Sequence, residues 1–244
     1  MDLQTHGNSP RQPHSMERER DQVPTKLIRH LDKVYAHRFP EEAEAEKDGI
    51  WQPIVRYLQR YVDPDGPVLD IGCDRGNFIR NIQAAEKWAT DIRDVGKFLP
   101  HSIRFRQGDG LLLSAILPGS HFDAVFMSNY LEHLASAEAV VEQLRVAHDL
   151  LKPGGRVIVL QPNIRLIGSA YWDFIDHKVA LTEKSLVEAA GLAGLTAECV
   201  VTRFLPYTTK SLLPQHPALV RAYLAFRPAW FVLGKQTLYV GARR

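Results

Sequence analysis

The stretch Val68-Leu69-Asp70-Ile71-Gly72-Cys73-Asp74-Arg75-Gly76-Asn77-Phe78 constrains this chain more than any other. Val68 to Ile71 reads as a short apolar strand with one acid near its end. Gly72 and Gly76 bracket a turn, and Phe78, Ile79 and Ile82 recur at helical spacing. A strand, a glycine turn and a helix start together form a seat for a ligand laid against bare backbone. Glycine permits close approach and positive φ, and a helix N-terminus offers unpaired N–H groups to negative charge.

The same unit recurs downstream. Trp88 to Ile92 is a second strand carrying an acid, Asp91, about twenty residues beyond the glycine turn, the interval at which an acid reaches a ribose hydroxyl pair. Ile103 to Arg106 is a third strand, followed by Gln107-Gly108-Asp109-Gly110. Phe122 to Met127 is a fourth, apolar enough to be buried on both faces, and opens onto Ser128-Asn129. The helix from Ser136 places Val140, Val141, Leu144, Ala147, Leu150 and Leu151 on one side and is expected to stop at Lys152-Pro153-Gly154-Gly155. Val157 to Leu160 is the fifth strand. Such alternation specifies an α/β fold with a parallel sheet covered on both faces, its ligands beyond the strand carboxyl ends.

The flanks are different in kind. Residues 1–22 are polar without apolar period and read as a disordered tail. Leu27 to Phe39 reads as a helix, and Trp51, Ile54, Val55, Leu58 and Val62 mark an amphipathic one, ended by Asp63-Pro64-Asp65-Gly66-Pro67. These form a helical lid, residues 23–66. Near the other end, Thr182 caps a helix through Leu186, Val187, Ala190 and Leu192 that Gly194 ends. Thr196 to Phe204 and Gln236 to Ala242 are strands, the second antiparallel to its neighbours. Residues 206–234 between them are too long for a plain hairpin loop and must carry structure of their own. They mix Leu219, Tyr223, Phe226, Trp230 and Phe231 with Lys210, Arg221 and Arg227, which fits either a packed helical insertion or a face resting on a membrane.

Charge adds one constraint. The 244 residues carry a net charge of +2, yet from Lys152 to the end twelve Lys and Arg stand against five Asp and Glu. That basic half suits an anionic partner. Cys73 and Cys199 have no metal-ligand spacing and make no disulfide framework, so no metal is expected and a reducing compartment is. With no transmembrane run and no signal-peptide core, the expected location is cytoplasmic, peripheral to a membrane at most.

Taken in order, Val68-Leu69-Asp70-Ile71-Gly72-Cys73, Asp91, Gly108-Asp109-Gly110, Phe122-Asp123, Leu131-Glu132-His133-Leu134 and Leu151-Lys152-Pro153-Gly154-Gly155 resemble the class I S-adenosylmethionine-dependent methyltransferases. The resemblance spans Val68 to about Leu160. A weaker likeness, to bacterial methyltransferases of polysaccharide or lipid-glycan assembly, is carried by Gln161 to Arg165, Tyr171 to His177 and Phe204 to Lys210. It implies a Rossmann-like, seven-stranded mixed sheet with helices on both faces, a single domain over residues 23–244, and S-adenosyl-L-methionine as cofactor. Gly72, Cys73 and Gly76 would hold its methionine half, with Asp70 accepting from its ammonium. Asp91 and Ile92 would flank the ribose, Asp109 and Gly110 the adenine, and Asn129 the passage to the acceptor. Asp74 stands where the family has glycine; it must turn away from the ligand or replace a water near the ammonium.

Methyl transfer from a sulfonium needs positioning and, for a hydroxyl acceptor, a base. His133 and His177 are the candidates, the latter in a cluster with Tyr171, Asp173 and Asp176. Asn163, Arg165, Tyr171 and Asp176 follow the fifth strand and are the candidate acceptor contacts. The expected reaction is O-methylation of a saccharide, glycolipid or other small polar acceptor. The alternatives are a non-catalytic methyltransferase-like scaffold, suggested by Asp74 and the 206–234 surface, and a nucleotide-dependent oxidoreductase, whose glycine spacing is not matched. Nucleic-acid methylation is disfavoured, because Ser128-Asn129-Tyr130-Leu131 stands where an Asn-Pro-Pro-Tyr-like tetrad would be.

Overall fold

The computed structural model describes residues 44–207 and 216–244, together with Lys33. The sequence-predicted tail and the Leu27–Phe39 helix lie outside the described residues, apart from Lys33. Seven strands form one sheet: β1 (Pro67–Ile71), β2 (Glu86–Asp91), β3 (Ile103–Gln107), β4 (Phe122–Ser128), β5 (Leu151–Pro162), β6 (Leu195–Leu205) and β7 (Gln236–Arg243). Their order is β3-β2-β1-β4-β5-β7-β6. Strands β1 to β5 run parallel, and β7 inserts antiparallel to both β5 and β6. The sheet order reverses beside β1, between β2 and β4. In open sheets of this kind, that crevice is where ligands bind.

Strand periodicity divides the core in two. Leu69, Ile71, Val125, Met127, Val157 and Val159 face helices α3 (Ala137–Leu150) and α5 (Glu183–Leu192). Val68, Ala124, Phe126, Ile158 and Leu160 face α1 (Glu44–Leu58) and α2 (Asn77–Asn81). On that second face Phe78 stacks on Phe126 with ring centroids 3.7 Å apart. Because β1 and β4 are covered on both sides, their mostly apolar sequences, Asp70 and Asp123 apart, follow directly.

Three local readings need correction. Lys152 to Gly155 does not lie beyond a helix as a breaker; α3 ends at Leu150, and those residues already open β5. Gly154 takes φ 81°, the register against β4 slips between Phe122 and Ala124, and Lys152 pairs with Asp123 at 2.9 Å. The helix after the glycine turn has only five residues, because Ile82 already turns to extended backbone. The insertion is helical, with α6 (Pro217–Ala225) and α7 (Pro228–Leu233), but only part of it packs inward. Trp230 is buried against Tyr57 and Phe204, while Phe226, Phe231 and Val232 are exposed. Thr182 caps α5 as expected, in a reciprocal box with Ser185.

Candidate active site

The glycine turn is held to the sheet by its own backbone. The N–H groups of Gly72 and Cys73 both donate to the Thr90 carbonyl, at 2.9 and 3.0 Å, and Gly76 N–H closes the turn on Cys73 O at 2.7 Å. Gly72, Asp74 and Gly76 all take left-handed backbone, with φ of 71°, 47° and 76°. Aspartate is among the few side chains that tolerate it, which is how the turn survives without its middle glycine. Gly72 and Gly110 share a further constraint. A Cβ on Gly72 would sit 2.5 Å from Tyr130 Cδ2, and one on Gly110 would collide with the Tyr130 hydroxyl and Gln143. Tyr130 therefore packs against both glycines, its hydroxyl donating to Gln143 Oε1 at 2.9 Å.

The acids at the strand ends form one electrostatic unit. Asp91 Oδ1 accepts from the Arg93 backbone N–H at 2.9 Å and from Arg93 Nε at 3.2 Å. Asp91 Oδ2 accepts from the Asp74 backbone N–H at 3.0 Å and from Arg93 Nη2 at 3.3 Å. The Arg93 guanidinium continues to Asp74 Oδ1 at 2.9 Å, and Lys47 of α1 reaches Asp74 Oδ2 at 3.1 Å. Burial alone would raise the Asp74 pKa, but Lys47 and Arg93 hold it below the usual carboxylate range. Arg93 is desolvated, yet its two carboxylates raise its pKa, so it stays charged. Asp74 thus turns to protein cations. Arg93, which sequence reasoning passed over, is the residue that joins the turn to β2; the signal was its place two residues after the strand-ending acid.

Asp70 differs. It is 3% exposed, and burial raises its pKa well above 3.8; the Ile79 amide opposes that shift, and Asp91 and Asp74 add to it. Asp70, Asp74 and Asp91 together meet only two cations among the described residues, Lys47 and Arg93. Cys73 is buried, and its thiol pKa is pushed up by burial and the adjacent acids, so it is an inert wall. Asp109 caps the following turn through the Leu111 N–H at 3.0 Å. The Ile92 carbonyl accepts from Gln107. Asn129 is left-handed at φ 47°, with its amide on Ser128 Oγ.

The second group gathers beyond β4. Glu132 and His133 sit in a one-turn helix, Leu131–His133, after that strand. Asp176 and His177 come from the loop after β5, and the Lys178 and Val179 N–H groups fasten that loop by donating to the Glu132 carbonyl at 2.8 and 3.1 Å. His133 and His177 lie with ring centroids 5.1 Å apart, and Tyr171 and Phe174 pack on His177 at 4.8 and 5.1 Å. His133 Nδ1 lies 3.0 Å from the Asp176 carbonyl oxygen. A carbonyl only accepts, so Nδ1 carries the proton and Nε2 keeps its lone pair.

Three sequence candidates make contacts within the scaffold. Asn163 is buried, caps a short helix (α4, Ile164–Ile167) through the Arg165 N–H and donates to Glu183 and Thr237. Arg165 forms an ion pair with Glu183 at the start of α5. Tyr171 is fully buried, and its hydroxyl donates to the Val179 carbonyl at 2.6 Å. Of the predicted acceptor contacts, Asp176 and the ring of Tyr171 adjoin the histidines. Glu132 is the buried acid that sequence reasoning left unassigned.

The sequence profile described as "Methyltransferase domain" matches residues 28–200, well over half of the chain. The chain belongs to the class I S-adenosylmethionine-dependent methyltransferases. No curated protein sequence matches it. Solved structures share the methyltransferase's fold at low identity. A putative methyltransferase in complex with the Haloferax volcanii Trm112 activator is 18% identical, with TM-score 0.62, over 86% of this chain and 96% of that one. A SAM-dependent methyltransferase from Archaeoglobus fulgidus is 17% identical, with TM-score 0.61, over 87% and 99%. One from Mesorhizobium loti is 18% identical, with TM-score 0.55, over 78% and 96%.

The methyltransferase's own residues fit S-adenosylmethionine. The left-handed turn over Gly72 to Gly76 brings backbone to the crevice, and the surplus carboxylate at Asp70 calls for a cation such as the cofactor's ammonium. The adjustment the fit demands is at Asp91, whose four acceptor positions are filled by Arg93 and Asp74; a ribose there must displace one of those donors. Asp74→Gly frees one arm of Arg93 and removes the Lys47 contact. The expected result is S-adenosylhomocysteine affinity unchanged or reduced severalfold, read by calorimetry. A large gain instead would show the Asp74 carboxylate to oppose the cofactor.

Proposed function

We propose that this methyltransferase O-methylates a small polar acceptor, a saccharide or the glycan of a glycolipid, at the cluster of Glu132, His133, Asp176 and His177. The observation that carries this reading is the His133–Asp176 contact. It fixes the imidazole with its basic nitrogen free of the backbone, at the carboxyl end of the strand next to the glycine-turn strand. S-Adenosylmethionine supplies a methyl group already activated for displacement. The chain holds that cofactor through Asp70 and the turn from Gly72 to Gly76, with Asp109 and Gly110 at the adenine end and Asn129 toward the acceptor. His133 Nε2 takes the proton from the acceptor hydroxyl, and Asp176 holds the ring in the tautomer that can do so.

A glycolipid acceptor has support from the insertion. Arg56, Tyr57, Arg60, Arg221, Leu224 and Arg227 line a groove of about 340 Å³. None of its four arginines has an ion-pair partner among the described residues, and Phe226, Phe231 and Val232 stand exposed nearby in sequence. Paired cations and apolar side chains of this sort suit contact with an anionic bilayer. No helix of the described residues is long and apolar enough to cross a membrane, so such contact is peripheral. The test offers the enzyme free sugars, nucleotide sugars, and a lipid-linked glycan in anionic and in neutral vesicles. Product mass and fragmentation should place the new methyl on a sugar oxygen, with turnover fastest on anionic vesicles. Transfer only to nucleic acid or protein would overturn the reading.

A further inference from the structure

We propose that Glu132, His133 and His177 bind a divalent first-row transition cation, with zinc or manganese the best suited, and that its open coordination position takes the acceptor oxygen. The site deepens the acceptor reading above and rests on it for its use in catalysis, though not for its existence.

One potential ligand atom from each of the three side chains lies within 4.8 Å of the other two. Bonds of about 2.1 Å to a common centre set ligands about 3.4 Å apart, so closure needs a contraction of order 1 Å. The framework for it is already tied together: backbone N–H groups of Lys178 and Val179 on the Glu132 carbonyl lock the two loops in register. His133 Nε2 lies 3.8 Å from Glu132 Oε1, and the Asp176 carbonyl on Nδ1 leaves that nitrogen's lone pair available. A carboxylate also stands behind the ring, Asp176 Oδ2 at 3.6 Å from Nδ1, the usual support of a metal-bound histidine.

Glu132 supplies the independent reason for a cation. It is 1% exposed, and its Oε2 has no hydrogen-bond partner among the described residues. A buried carboxyl with an unmet oxygen takes either a proton or a metal. Two imidazole nitrogens and one carboxylate oxygen form a borderline donor set, suited to zinc, manganese, iron or cobalt and poor for magnesium, which demands oxygen. Three protein ligands leave a position open, as catalytic sites require. Sequence spacing hid the set, because Asp176 and His177 arrive from a different loop, Asp176 lying 43 positions beyond His133. In the loaded protein His133 would be a ligand rather than the base: the cation would lower the pKa of the acceptor hydroxyl so that its proton passes to solvent water, and the oxygen would take the methyl group as the cofactor's S–CH3 bond breaks.

The full-length protein, stripped with a chelator and dialysed, is titrated with zinc and with manganese and assayed for bound metal by mass spectrometry and manganese spin resonance. One cation per chain is expected, with affinity reduced at least about a hundredfold in Glu132→Gln and in His177→Gln. Melting temperature and S-adenosylhomocysteine affinity, measured on both variants, report that the fold and cofactor site survive. X-ray absorption of the zinc-loaded protein should show two imidazoles in the shell, a readout that does not depend on turnover. Less than a tenth of an equivalent bound, or binding unmoved by either substitution, overturns the site. Equal methyl transfer by stripped and loaded protein overturns its catalytic use. If the metal binds as expected while no polar acceptor is methylated under any condition, the acceptor reading fails and the cation site stands.

Discussion

Asp91→Ala should lose both cofactor and stability: S-adenosylhomocysteine affinity falling by at least about tenfold and folding free energy by about 3–5 kcal/mol. The stability loss follows from Arg93. Arg93 is only 8% exposed and gives Asp91 three of the four bonds that carboxylate accepts, two from its guanidinium and one from its backbone N–H. With Asp91 removed, the buried Arg93 charge keeps its contact with Asp74 at 2.9 Å but loses its bonds to Asp91, and the Asp74 N–H loses its acceptor. Breaking such a pair costs more than the pair contributes, because the surviving charge remains desolvated. A companion substitution separates scaffold from ligand. Asp91→Ala with Arg93→Met removes both charges and should recover most of the stability, measured by urea unfolding. Cofactor affinity should stay low in that double variant if Asp91 holds the ribose. Affinity recovered along with stability would show that Asp91 serves only to neutralise Arg93.

The fold was legible where one physical rule acted alone. Strands β1, β4 and the core of β5 are buried on two faces, so each had to be mostly apolar rather than alternating. The capping box at Thr182 is local chemistry and was equally plain. Lys152 to Gly155 misled because a cation, a proline and two glycines suit a helix C-terminus as well as they suit an irregular strand start. Only the pairing of β4 with β5 decides between the two. Asn163 illustrates the same limit within the site. A polar residue after a central strand reads as a ligand contact, whereas its amide is spent on Glu183 and Thr237, residues distant in sequence. Glu132 was opaque for the opposite reason. A carboxylate in a turn ordinarily faces water, and its burial comes from a loop that folds over it only in three dimensions.

Asp70→Asn should trade function for stability: a gain on the order of 1–2 kcal/mol at neutral pH, with S-adenosylhomocysteine affinity reduced at least about tenfold. The carboxylate is fully buried and surrounded by the Asp91 and Asp74 charges, with the Ile79 amide opposing. Asparagine keeps the shape and an oxygen for the Ile79 N–H while removing the charge. The pH dependence gives this prediction its sign. Because the folded-state pKa is raised above 3.8, the folded protein binds the Asp70 proton more tightly than the unfolded chain does. The penalty for burying the charge is therefore fully present only above the raised folded value. It is relieved as pH falls through the raised folded value, and no further relief comes below 3.8, where the unfolded chain is protonated too. The stability advantage of Asp70→Asn over the parent should accordingly be largest above that raised value and shrink as the pH falls toward 4. Urea unfolding of both proteins across that range measures the difference directly, and common losses at Asp74 cancel in it. An asparagine variant less stable than the parent at neutral pH would mean that the carboxylate is already compensated within the protein. The ammonium of the cofactor would then have no vacancy of charge to fill, and the assignment of Asp70 to it would fall.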